Sequence, residues 1–306
     1  MPDLLQLQLL LPDFALIALG YLICHHTPLD RPLWETIERL VYHLLFPALL
    51  FSAIVRQPIQ LHTLAQIGSA GLAICVLGIV LAWALGRLPG VDAHLHASGA
   101  QTAYRFNSYV ALALAERIAG QQGLAWLALV ISVCVPVVNV AAVIPLARQG
   151  RQSGAALWRE LARNPLIVST LAGLVANLLG LKLPELASLT LARLGTAALP
   201  LGLMAVGAGL RLGALREGPG LAVGLMFIRH AVLPGAAIAL VLALRLPPLQ
   251  QAVIVAFAAL PSASSAYVLA ARMGGNGGYV AGLITVSTVL AMAGLPAALA
   301  LLERLR

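Results

Sequence analysis

Apolar residues run along this chain in long stretches with short polar interruptions. The lengths of those stretches set the fold class. Ten runs stand out, at 4–24, 34–56, 63–86, 98–119, 123–147, 164–182, 185–211, 218–245, 248–272 and 277–302. Each is close to the ~20 residues that a helix needs to cross the hydrocarbon of a bilayer. In lipid every backbone N–H and C=O must be satisfied by protein, so continuous Leu- and Ala-rich runs predict helices. A barrel would show short alternating segments instead. The expected fold is an all-α membrane protein with ten transmembrane helices.

The runs repeat. Pro12 precedes Gly20 by eight positions, as Pro165 precedes Gly173. Gly20 precedes Pro47 by 27, as Gly173 precedes Pro200, and all these pairs share an offset of 153. The texture agrees, since Leu45-Phe-Pro-Ala-Leu-Leu resembles Leu199-Pro-Leu-Gly-Leu-Met. The expected organisation is a first five-helix repeat over 1–150, a connecting loop over 151–163 and a second repeat over 164–306. An odd number of helices per half inverts the second half against the first. That is the plan of many secondary transporters, which bind substrate near the midplane where the halves meet.

Two runs carry polar interruptions at matching places. The fourth contains Gln101-Thr-Ala-Tyr-Arg-Phe-Asn-Ser108, and the ninth contains Leu260-Pro-Ser-Ala-Ser-Ser-Ala266. Proline in a regular helix removes an amide donor and clashes with the preceding turn, at a cost of ~3 kcal/mol. Nearby serines can re-satisfy the freed groups. Asn107 and Pro261 lie 154 apart, within one residue of the repeat offset. A broken helix presents free amides and a positive dipole end at the start of its second half, which suits an anion. Arg105 would add a full charge, and an intramembrane arginine is a functional hypothesis by default. The competing reading is that Arg105 snorkels to a surface or braces a carbonyl. Arg105, Asn107, Ser108, Pro261, Ser262, Ser264 and Ser265 are thus candidate substrate-binding residues, and an anionic substrate is expected.

Composition supports the membrane reading. Hydrophobic residues make up 60% of the 306 and charged residues only 10%, against ~25% charged in soluble domains. The net charge of +8 raises the question of nucleic acid, but the basic residues sit scattered at the ends of apolar runs, without aromatic interleaving. They read as topology signals. Placing the 148–163 connection in the cytoplasm puts 10 basic residues on inner loops and 7 on outer ones. Both termini are then expected in the periplasm of a bacterial inner membrane. Arg229-His230 lies inside the eighth run and reads as structural or as a second basic site. Cys24, Cys75 and Cys134 sit in separate runs and read as unpaired apolar thiols.

Other polar residues within runs are Asn139, Asn177, Thr285, Ser287 and Thr288. Hydroxyls in membrane helices mostly bond their own backbone. Asn139 is the best candidate among these for the site, because a buried amide needs partners on both sides. No carboxylate falls in the middle of the fourth, fifth, ninth or tenth run, so carboxylate-based ion coupling is not expected. His94-Leu-His96 lacks a third ligand nearby and reads as a loop pair without metal. No nucleotide-binding, hydrolase or zinc-protease motif occurs. Neither an enzyme nor a cofactor is expected. A sensor would need an output domain.

At these residues the chain resembles the auxin efflux carrier family, which includes the plant PIN-FORMED carriers and bacterial permeases for malonate and malate. The matching segments are Tyr104-Arg-Phe-Asn107, Asn164-Pro165, Ala198 to Leu210, and Ala259 to Ala270. The resemblance implies a fold similar to bile-acid symporters and sodium/proton antiporters, with crossed, broken helices four and nine and anions bound beside the crossing. It places Phe106 where the plant carriers have proline. It also adds Leu50 and Ser52 of the second helix, and Val138 of the fifth, as site-lining positions. The function it implies is a secondary transporter or facilitative carrier of a small organic anion, a malonate- or auxin-like carboxylate. A crossed-helix unit would move against helices 1, 2, 6 and 7. The alternative on the same fold is a sodium- or proton-coupled symporter. Expected partners are the anion and the lipid bilayer, with no nucleic acid; the sequence leaves a homodimer open.

Overall fold

The computed structural model describes residues 2–56, 61–149, 165–210 and 217–306. Among these residues the chain is all helix, with one isolated backbone bridge and no strand. The first helix, α1, spans Pro2–His26. The second, α2, joins Arg31–Leu40, a π-turn at Val41–Leu45, and Phe46–Arg56. Next come α3, Leu61–Leu85, and α4, Ala93–Gly99, which tightens into a 3₁₀ turn at Ala100–Ala103. The stretch Ser108–Gln149 is two helices, α5 and α6, separated by non-helical Ala119 and by Gly120 at φ 55°. A glycine suits that position, since left-handed backbone carries no Cβ penalty there.

The rest runs α7, Pro165–Leu178, and α8, Glu185–Ala208. Helix α9 joins Pro219–Phe227, a π-turn at Ile228–Val232, and Leu233–Ala243. The last three are α10, Pro248–Ala258; α11, Ser265–Arg272; and α12, Gly277–Leu305. Among the described residues, six stretches are long and apolar enough to cross a membrane: Arg31–Val55, Ala65–Leu85, Ser108–Arg148, Glu185–Ala208, Pro219–Ala243 and Gly277–Leu305. Shorter apolar helices lie at Phe14–His26, Pro165–Leu178 and Pro248–Ala258. The 151–163 connection, with Arg151, Arg159 and Arg163, lies outside the described residues.

Both π-turns have the same local cause. Each ends two residues before a proline, Pro47 in α2 and Pro234 in α9. The ring would strike the carbonyl four residues back, and a wider turn relieves that contact.

Helices α1 and α8 pack backbone to backbone. A Cβ on Gly20 would collide with the Met204 carbonyl, and one on Gly207 with the Ile17 carbonyl. Small residues permit such approach where lipid removes the hydrophobic drive between helices. Helix α7 is fastened to α2 by the Asn177 amide, whose Nδ2 donates to Ile54 O at 2.9 Å and Val55 O at 3.2 Å. Asn177 is therefore a structural clamp. Helix α3 packs on α6, where Gly71 faces Val130, and α9 packs on α10. Cys75 and Cys134 are buried in this second group of helices.

Candidate functional site

The site is built from two helix interruptions. Between α4 and α5 the helical pattern stops after Ala103, and between α10 and α11 it stops after Ala258. The two interruptions meet as an antiparallel pair, with Phe106 opposite Ser262. The Asn107 amide donates to Pro261 O at 2.9 Å, and the Ala263 amide donates to Arg105 O at 3.2 Å. Backbone groups freed by each break are thus satisfied by the other break, as a buried polar chain requires.

Side chains then lock the pair. Arg105 is 8% exposed and donates from Nη1 to Gln101 Oε1 at 2.7 Å and from Nη2 to Ser265 Oγ at 3.0 Å. Both of these partners are neutral. Gln101 in turn donates to Ser98 O and, across the pair, to Ala266 O. Asn107 is 2% exposed. Its Oδ1 accepts the Tyr109 and Val110 amides at 3.0 and 3.2 Å, which makes it the cap of α5. Its Nδ2 donates to Ser264 Oγ at 3.2 Å. Ser262 is fully buried; its hydroxyl donates to Thr102 O at 2.6 Å, and its amide donates to Ser287 Oγ at 2.9 Å. Phe106 packs edge-on against Phe257, with ring centroids 4.6 Å apart.

The structure therefore brings Arg105, Phe106, Asn107, Pro261, Ser262, Ser264 and Ser265 into one constellation, with Ser108 at the first position of α5. Asn139 lies half-buried on α6 and takes no part in the bonds between the breaks. Leu50 and Val138 are buried in the apolar core. Ser52 lines a cavity of about 470 Å³ between α1, α2, α5, the start of α6, and α8. The cavity's other polar lining comes from Glu116, Arg117, Gln121 and Thr196. Along α5 it reaches Ala113, six residues from Asn107, or ~9 Å of helix. On the same stretch of α5, Tyr109 stacks on Phe46, with centroids 4.9 Å apart, and the pair packs on Gly202.

Sequence reasoning missed the cavity's polar residues, because charges at the ends of apolar runs look like ordinary membrane flanks. It also missed Gln101 as the anchor of Arg105, although an i,i+4 spacing could have shown it. His96 bonds the Ala82 carbonyl at 2.8 Å and tethers α4 to α3.

A chain whose described residues are helical, with six stretches able to cross a membrane and two helix breaks bonded to each other, has the build of a membrane transport protein. The family described as membrane transport protein matches residues 93–298, about two thirds of the chain. The chain belongs to this family, the auxin efflux carriers. A protein of Rhizobium meliloti (strain 1021) named "Putative malonate transporter" is 28% identical over 306 residues, covering 93% of this chain and 92% of that protein.

Proposed function

We propose that this transporter carries a small organic anion, a carboxylate, by alternating access, with its binding site at the crossing of the two broken helices. The observation that carries the reading is the buried Arg105 held at the Phe106–Ser262 pair by Gln101 and Ser265. A guanidinium keeps its charge at any ordinary pH. Held in a low-dielectric site, it favours an incoming negative charge. Ser264, at the start of α11, makes no capping side-chain bond, so the positive end of that helix stands beside Arg105 and Ser265. The similar protein's name supports malonate as the first anion to try.

In this reading the helices cross the membrane ten times, as two inverted halves of five, and both termini are periplasmic. The broken helices and their neighbours α3, α6, α9 and α12 move as one unit against α1, α2, α7 and α8. The 470 Å³ cavity then faces the periplasm, and the Phe46–Tyr109 stack separates it from the anion site. Malonate uptake into proteoliposomes tests the assignment, with Arg105→Ala and Asn107→Ala beside the unaltered protein. Undiminished uptake in both variants would remove the site from the crossing.

A further inference from the structure

A second arginine near the crossing has no place in the anion site. Arg229 sits on the π-turn of α9 and is 2% exposed. Its Nε donates to Leu260 O at 2.6 Å. Leu260 lies two residues past the last residue of α10, so this carbonyl stands just beyond the C-terminal end of that helix. That end is deeply enclosed, with Ala259 and Leu260 at 1% and 0% exposure. Among the described residues Arg229 has no carboxylate partner, and its buried Nη2 has no hydrogen bond. The group that faces the charge is the Leu260 carbonyl, just past the negative end of the α10 dipole. The neighbouring His230 is bonded to Ser287 Oγ at 2.8 Å, and Ser287 holds the Ser262 amide. The π-turn is thereby fastened to the second break at two points, Leu260 and Ser262.

Carriers built on broken helices hold a coupling cation with freed carbonyls and the C-terminal ends of half-helices. Here that position is already filled by a side chain. We infer that Arg229 is a resident cation, a guanidinium fixed at the C-terminal end of α10 where an ion-coupled carrier would bind sodium, so that this protein works without sodium. Arg229 is a positioning residue: it holds the second break in shape and does not touch the anion. The charge stays with the protein through the cycle, while a coupling ion would leave with the substrate.

The transport part of the test rests on the proposed carrier function; the stability part does not. Thermal unfolding of the purified protein is compared in sodium and in choline at equal ionic strength, without substrate. The expected Tm is the same in both for the unaltered protein. Arg229→Gln should lower Tm and make it rise with added sodium or guanidinium. Arg229→Lys, which keeps the charge, should fold and remain indifferent to sodium, and it serves where the glutamine variant does not fold. Sodium stabilisation of the unaltered protein or of the lysine variant overturns the inference. So does a glutamine variant whose Tm is unchanged or ignores both cations. In proteoliposomes, malonate uptake should be equal in sodium and choline. It should fall about tenfold or more in Arg229→Gln and recover in part with guanidinium. Absence of malonate uptake by the unaltered protein would count against the substrate reading alone, leaving the Tm comparison to decide the role of Arg229.

Discussion

The two helix breaks do the same structural job with different residues. The second contains Pro261, which has no amide to give, three residues after α10 stops at Ala258. The first has no proline at all: a 3₁₀ turn at Ala100–Ala103 ends α4, and Asn107 starts α5 by capping it. The ends of the half-helices differ as well. The α10 C-terminus is held by Arg229, while the α11 N-terminus has no side-chain cap from Ser264. What the two breaks share is a helix end and the backbone cross-bonds between them, and neither proline nor a side-chain cap is common to both. The start of α11, beside Arg105 and Ser265, therefore lacks the side-chain cap that the start of α5 has.

Arg105→Ala should show the largest effect. It removes two charge-assisted bonds of the crossing, at roughly 1.5–3 kcal/mol each for hydrogen bonds to charged groups, and the charge the anion meets. Malonate uptake should fall by about a hundredfold or more. Arg105→Lys keeps the charge but cannot span Gln101 and Ser265 with a planar fork, and should lie between. Equal rates for the lysine variant and the unaltered protein would mean that charge alone matters and the fork does not.

Asn107→Ala should come next, and Ser264→Ala well behind it. The alanine at 107 loses an N-cap, worth about 0.5–2 kcal/mol, and also the bond to Ser264. The alanine at 264 loses only that shared bond. The expectation is about tenfold lower uptake with a clear drop in Tm for Asn107→Ala. Ser264→Ala should keep Tm nearly unchanged. Similar Tm losses in both would show that the two breaks are capped alike, against the geometry.

Much of this was legible in the sequence, and what was not has physical causes. Hydrophobic length located the helices, because lipid leaves a backbone few other choices. Pro261 and its serines announced the second break, and the repeat offset pointed to Asn107 as its counterpart, with no proline there to mark it. The long-range bonds were not readable. Nothing local in Ser287 or Thr102 says that each will meet Ser262. Nor does Arg229 show by itself that a π-turn will aim it at Leu260. Asn107 reads in the sequence as a substrate-binding residue, and only the structure shows its side-chain oxygen accepting two amides of its own helix.

Pro261→Ala should have a smaller effect than either. The proline costs ~3 kcal/mol only where it interrupts a regular helix, and here the backbone is already extended and paired with the first break. Uptake should stay within about threefold, since the Asn107–Pro261 and Ala263–Arg105 bonds use groups alanine retains. A larger loss would mean that the missing amide itself keeps the second break open.

Phe106→Pro should change transport least, and it tests the comparison most directly. In the antiparallel pair the bonds are carried by the neighbours, Asn107 N to Pro261 O and Ala263 N to Arg105 O, and the Phe106 amide takes part in neither. A proline there forfeits none of these bonds. It does forfeit the edge contact with Phe257, worth about 0.5–1.5 kcal/mol beyond area, and part of a buried side chain. Phe106→Ala forfeits the same packing and keeps the amide, so it is the proper reference. The two variants should share a lowered Tm and agree in uptake within about twofold. A proline variant much less stable than the alanine one would show that the first break depends on an amide at 106. The two breaks would then differ in backbone bonding as well as in their side chains.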